Sequence, residues 1–90
     1  MIQIEQNFLM NKSILFDVRL SPPDIRIYFA LIAISKGHKQ PKIKYIDIMR
    51  AIGIGRSTIW RSVKHLKKLK LLDFERKTDG NIYHFLKLKN

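Results

Sequence analysis

Residues Tyr45 to Leu72, YIDIMRAIGIGRSTIWRSVKHLKKLKLL, decide how the whole chain is read. Tyr45, Ile48, Met49 and Ile52 recur at i, i+3, i+4 and i+7, which puts their apolar side chains on one face of a helix. Gly53 ends that helix, because the residue after a last turn commonly takes the left-handed conformation, which glycine adopts without steric cost. Gly53-Ile54-Gly55 is then a three-residue turn. Beyond it Ile59, Val63, Leu66 and, more loosely, Leu69 form a second apolar stripe, while Ser57, Arg61, Lys64 and Lys68 occupy the reverse face. A helix that is apolar inside and cationic outside is suited to lying in a DNA groove.

The formal net charge of the 90-residue chain is +11, and its distribution is uneven. Residues 1–35 carry three basic and three acidic side chains, residues 36–70 carry eleven basic and one acidic for a net +10, and residues 71–90 carry a net +1. A lysine-rich run alone is compatible with a plain solvated helix face. Its coincidence with the helix pair points to a polyanionic partner.

The run Asp47 to Arg61 resembles the helix-turn-helix of winged-helix DNA-binding proteins: an acidic first helix, the Gly53-Ile54-Gly55 turn, and the Arg56-Ser57-Thr58-Ile59-Trp60-Arg61 opening of the second helix. Leu66 to Leu72 is similar to that family's exit into a wing. Met49 stands where a small residue is commoner, and Lys44 and Gly55 stand where a serine or threonine cap is expected. Glycine caps a helix nearly as well as serine; lysine does not. The resemblance implies an α+β, mainly α fold, a winged helix-turn-helix of three core helices and a C-terminal β-hairpin wing. On this reading residues 1–90 are one domain: a strand and short-helix arm at 1–20, a three-helix core at 21–70 with the helix-turn-helix at 45–70, and the wing at 71–90.

The same resemblance implies double-stranded DNA as the partner, with a recognition helix over 56–70 in the major groove. Arg56, Ser57, Thr58 and Arg61 are the groove-facing opening, since arginine binds guanine O6 and N7 bidentately and short hydroxyls fit close to base edges or phosphates. Lys64, Lys67 and Lys68 are placed for phosphates farther along, and Arg76 and Lys77 in the wing for the neighbouring backbone. Trp60 lies beside the core stripe and is expected to pack. A transcriptional regulator is the leading expectation. The arrangement from Ile2 through the Leu20-Ser21-Pro22 helix start also resembles the amino-terminal part of plasmid and phage replication initiators. A replication-initiator or primosome-type DNA-binding domain is therefore the alternative, and a winged-helix protein-interaction module is a third.

Elsewhere, Ser21-Pro22-Pro23-Asp24 combines a serine cap, proline in the first turn and an acidic residue three after the cap, which predicts a helix from Pro22 to about Ser35 or Lys36, stopped at Gly37. Ile25, Tyr28, Phe29 and Ile32 give it a core face, and Ile27, Leu31 and Ile34 line the reverse side. A helix apolar all round is normally covered on both sides. Either the arm covers the second face with Ile4, Phe8 and Leu9, or a second copy does. Because one small module reads few base pairs, a homodimer through that face or the arm is expected. His38 to Lys44 reads as a polar, lysine-rich loop.

Leu71 to Lys77 and Ile82 to Leu88 flank Thr78-Asp79-Gly80-Asn81, a hairpin signal in which Asp-Gly fits a type I′ turn. Leu72, Phe74 and Ile82 are expected on the core side. Tyr83 and Phe85 compete with His84, Leu86 and Leu88 for the inward face of the second strand, because a one-residue shift exchanges the two sets.

Other chemistry finds little support. There is no cysteine, so neither a disulfide framework nor a thiolate metal site is available. Gly53-Ile54-Gly55 lacks the third glycine and the preceding strand of a phosphate loop. His38, His65 and His84 share no ligand spacing, and a Ser-His-Asp site would require distant segments to meet, so no metal, cofactor or catalytic role is expected. No cationic leader precedes an apolar stretch, and the longest apolar run is the eight residues Ile27 to Ile34; a cytoplasmic protein is the default.

Overall fold

The computed structural model describes residues 14–38 and 40–86. Helix α1 (Pro22–Ser35) starts where its sequence signal lies. The Asp24 N–H donates to Ser21 Oγ at 3.4 Å and the Ser21 N–H donates to Asp24 Oδ2 at 3.0 Å, a reciprocal cap. The helix closes on Lys36, which takes the left-handed conformation at φ 49°, with Gly37 following at φ 86°. After a two-residue strand β1 (Lys42–Ile43), helix α2 (Tyr45–Ile52) begins at Lys44, whose N–H donates to Asp47 Oδ2 at 3.3 Å. It stops at Gly53, left-handed at φ 68°, whose N–H donates to the Met49 carbonyl at 2.8 Å. Gly55 is the extended cap of α3 (Arg56–Lys68), and the chain continues into the hairpin β2 (Leu72–Lys77) and β3 (Gly80–Phe85). Three helices followed by a hairpin wing match the α+β layout expected from the sequence.

Helix α3 is two residues shorter than the expected 56–70. Lys70 is left-handed at φ 62°, its N–H donates to the Lys67 carbonyl at 2.9 Å, and the Leu71 N–H reaches the Leu66 carbonyl at 3.0 Å. This pair of bonds is the helix terminus that glycine usually serves, here built on a lysine.

The faces of α1 are the reverse of the expectation. Ile27 and Leu31 are fully buried in one cluster with Ile48, Ile59, Val63 and Leu66, whereas Ile25, Phe29 and Ile32 are only partly covered; Tyr28 is buried as expected. Helix α1 packs on both α2 and α3, and Ile14 and Leu20 join the same cluster. A second copy cannot dock on Ile27 and Leu31 without opening the core, so this face is not a dimer surface; Ile34 is half-buried. The expected contributions of Ile4, Phe8 and Leu9, and the strand at Ile2 to Glu5, lie outside the described residues. No helix among the described residues is long and apolar enough to cross a membrane.

The sheet is antiparallel, ordered β1-β3-β2. Strand β1 replaces part of the loop expected at His38 to Lys44: Lys42 pairs with Ile82 and Ile43 with Asn81, and the Tyr83 N–H donates to the Pro41 carbonyl at 3.0 Å. In the hairpin Phe74 faces Tyr83 and Lys77 faces Gly80, so the turn residues are Thr78 and Asp79, neither with positive φ. The expected type I′ turn on Asp79-Gly80 is therefore not formed. Gly80, at φ 142°, matters for a different reason. A Cβ there would stand 3.2 Å from the Ile43 carbonyl oxygen, so glycine lets β1 close against the hairpin.

The register settles the inward face of β3. Asn81 and Tyr83 are buried, Phe85 is half-buried on the same side, and Leu86 is exposed. Leu72 and Phe74 share that side, but Ile82 pairs with Glu75 on the other, contrary to expectation. Tyr83 is fully buried, and its hydroxyl accepts from Asn81 Nδ2 at 3.3 Å; burial pushes the phenol up to about 12. Among the described residues no buried side-chain nitrogen or oxygen lacks a partner.

Candidate nucleic-acid interface

The Gly53-Ile54-Gly55 turn and the apolar stripe of α3 determine which residues face outward. Ile59, Val63 and Leu66 are fully buried, which rotates Ser57, Arg61, Lys64 and Lys68 onto the exposed ridge of the helix. A cleft lies on each flank of this ridge. On the α1 side, about 520 Å³ is enclosed by Arg19, Ser21, Pro23 and Asp24 against Thr58, Arg61, Ser62, Lys64, His65 and Lys68. On the wing side, about 370 Å³ is lined by Tyr45, Arg56, Ser57, Trp60 and Arg76. A third cleft, of about 380 Å³, continues toward Lys44, Lys77 and the hairpin turn.

The nine residues expected at a DNA surface do not form one uniform face. Arg61, Lys64, Lys68 and the half-buried Thr58 border the α1-side cleft. Arg56 and Ser57 border the wing side, where Arg76 of β2 meets them. Lys67 points elsewhere: its Nζ lies 3.2 Å from Asp73 Oδ1 and 4.7 Å from the Phe74 ring centroid, at the base of the wing. Lys77 is 3.9 Å from Glu75 Oε2. Trp60 packs edge-on against Tyr45 and Phe74, with ring centroids 6.3 and 5.4 Å away, and carries Arg76 at 5.0 Å and Lys64 at 5.3 Å over its ring. Packing is its role, as read from the sequence, and the ring also fixes two cations.

The wing's acids limit the positive field. Asp73, Glu75 and Asp79 pair with Lys67, Lys77 and Lys42 respectively. The Phe74 backbone N–H, then Lys67, holds the Asp73 carboxyl below the ordinary range, and Lys42 does the same for Asp79. Arg56, Arg61, Lys64, Lys68 and Arg76 have no such carboxylate partner among the described residues.

Two features were not visible in the sequence. Arg19 borders the α1-side cleft, with Asp17 bonding its guanidinium at 2.6 Å and lowered by it to about 2. The second is a buried polar tether between α1 and α3. Asp24, already the capping acid of α1, also bonds His65 Nδ1 through Oδ2 at 2.7 Å. Burial raises the Asp24 carboxyl, but the bonds from Ser62, Ser21 and His65 outweigh it and hold the group below its usual value. With the carboxylate ionised, Nδ1 is the donor. Serine, histidine and aspartate meet here, and the His65–Asp24 bond ties α3 to the start of α1. Arg26 adds a second tie, donating from Nη2 to the Ile52 carbonyl at 3.1 Å where α2 ends.

Comparison of the chain with protein-family models, with curated proteins and with solved structures found no match.

Proposed function

We propose that this protein binds double-stranded DNA in a sequence-dependent manner and serves as a transcriptional regulator, with α3 lying in the major groove and the wing on the adjacent backbone. One observation carries the reading. The +10 concentrated in residues 36–70 meets an exposed ridge of Ser57, Arg61, Lys64 and Lys68, on a helix whose opposite side is locked into the core and tethered to α1. A cationic helix held rigidly and left open along its length fits a groove of about 12 Å.

Arg61 is the residue assigned to a base edge, because it is central on the ridge and its guanidinium fork matches guanine O6 and N7. Lys64 and Lys68 neutralise phosphates along the groove wall, and Arg19 and Thr58 lie beside that wall in the α1-side cleft. Lys67, turned toward Asp73, contributes less than its neighbours. Selection from a randomised duplex pool tests the reading. An enriched motif of a few base pairs is expected, and recovery of unenriched sequence would refute base reading while leaving backbone affinity to be measured separately.

A further inference from the structure

Two of the arginines are set on rings before any partner arrives. The Arg56 guanidinium lies 5.2 Å from the Tyr45 ring centroid, that of Arg76 lies 5.0 Å from the Trp60 centroid, and the two rings meet edge-on at 6.3 Å. Residues far apart in sequence, at the starts of α2 and α3 and near the tip of β2, are thereby brought to one place. Both guanidiniums line the same two clefts between α3 and the wing, and the Ser57 hydroxyl joins them in one. Neither is bonded to a carboxylate among the described residues, whereas the wing's acids are each taken by a lysine.

A guanidinium lying against an aromatic face keeps its N–H edges free while losing much of its rotational freedom, so less entropy is lost when those edges bond an anion. Two such groups at one cleft, which Ser57 also lines, match the several acceptor oxygens of a phosphate better than a single base edge. The Tyr45 stack also holds Arg56 back beside the wing, away from the ridge on which Arg61 stands.

We propose that Arg56 and Arg76 form a clamp for a single DNA backbone phosphate, with Ser57 as a third donor, and that the pair fixes the angle of α3 and the wing on the duplex without reading a base. This rests on the duplex-binding reading above, and it reassigns Arg56 from base recognition to positioning. A free phosphate compound shares the chemistry, so the test separates the two sources.

The test measures duplex affinity for the full chain and for Arg56→Gln, Arg76→Gln and the double variant, with thermal melts to verify folding. Each single variant is expected to lose about tenfold to a hundredfold in affinity. The double variant should lose little more than the worse single, and the slope of log K against log[salt] should shrink by about 0.9, the value for one phosphate. Motif selection with Arg56→Gln should recover the same bases as the parent chain. Losses that multiply in the double variant, a slope that shrinks by two phosphates, or an altered motif with Arg56→Gln would each overturn the clamp.

Trp60 is the only tryptophan, so its emission reports on the ring under Arg76. If the parent chain binds no duplex, the DNA reading fails first. A pyrophosphate titration that then shifts Trp60 emission in the parent but not in Arg76→Gln would retain the clamp as a site for a small phosphate compound. No shift would remove the clamp as well. With duplex binding established, pyrophosphate at equal phosphate concentration is expected to leave the emission unchanged; a response as large as that to duplex would assign the site to the free compound.

Discussion

Asp24→Asn removes one charge and one acceptor from the place where α1 and α3 are joined. In the parent, the Ser21 N–H and His65 Nδ1 converge on Oδ2 of one buried carboxylate, at 3.0 Å and 2.7 Å. Both bonds end on Oδ2, so an amide oxygen there can still accept them, but it carries no charge, and the two bonds lose the strengthening that an ionised acceptor gives. A hydrogen bond to a charged group contributes about 1.5–3 kcal/mol, and the asparagine keeps part of the cap, so a loss of about 2 kcal/mol is expected at neutral pH. In a domain of this size that corresponds to roughly 10 °C in Tm. The effect also depends on pH. The folded-state value of Asp24 lies below its unfolded value, so its stabilisation is fully present above about pH 4 and is lost as pH falls through the folded value. Urea unfolding of both proteins from about pH 7 to about pH 2 gives the difference directly: about 2 kcal/mol at neutral pH, and smaller in acid as the parent's carboxyl protonates. A difference under about 0.5 kcal/mol at neutral pH, or one that stays constant into acid, would refute the account of this tether.

Leu31→Arg should unfold the protein at room temperature, since Leu31 is fully buried in the cluster that joins all three helices; a folded variant with altered sedimentation would restore this face as a subunit contact. Lys70→Gly should add about 1 kcal/mol in urea unfolding, because Lys70 is left-handed at φ 62° and glycine adopts that conformation freely; a loss of stability would show that the lysine side chain outweighs the backbone strain. Arg61→Ala should relax base preference at one position at a cost of ~1–3 kcal/mol, while Lys68→Ala should weaken specific and random duplex alike. Equal losses from both substitutions on both duplexes would mean that the base-reading face is misassigned.

The helix pair was legible because local signals agree with the final packing. Gly53 supplied a left-handed stop, Gly55 an extended cap, and the spacing of Ile59, Val63 and Leu66 fixed the outward ridge before any tertiary contact was known. Helix α1 was legible in extent but not in orientation: with Ile25, Ile27, Tyr28, Phe29, Leu31, Ile32 and Ile34 its apolar residues surround the axis, and periodicity then carries no direction. The end of α3 was read two residues late because a lysine occupies the position that glycine normally marks. Strand β1 is two residues long and exists only through pairing with the distant β3, which no local pattern encodes. In the candidate site, the basic ridge followed from composition and period. The Asp24–His65 bond and the stacking of Arg56 and Arg76 on rings depend on distant segments meeting, so only the capping role of Asp24 and the packing role of Trp60 could be read in advance.

The salt dependence of duplex binding tests the central claim most directly. Lys64, Lys68 and Lys77 are exposed around α3 and the wing, and with the one phosphate shared by Arg56 and Arg76 they make about four phosphate contacts, which correspond to a slope of log K against log[salt] of about −4. Fluorescence anisotropy with a labelled duplex, titrated from low to moderate salt, is predicted to give a line near that slope. A flat response would contradict the assignment of this face to DNA.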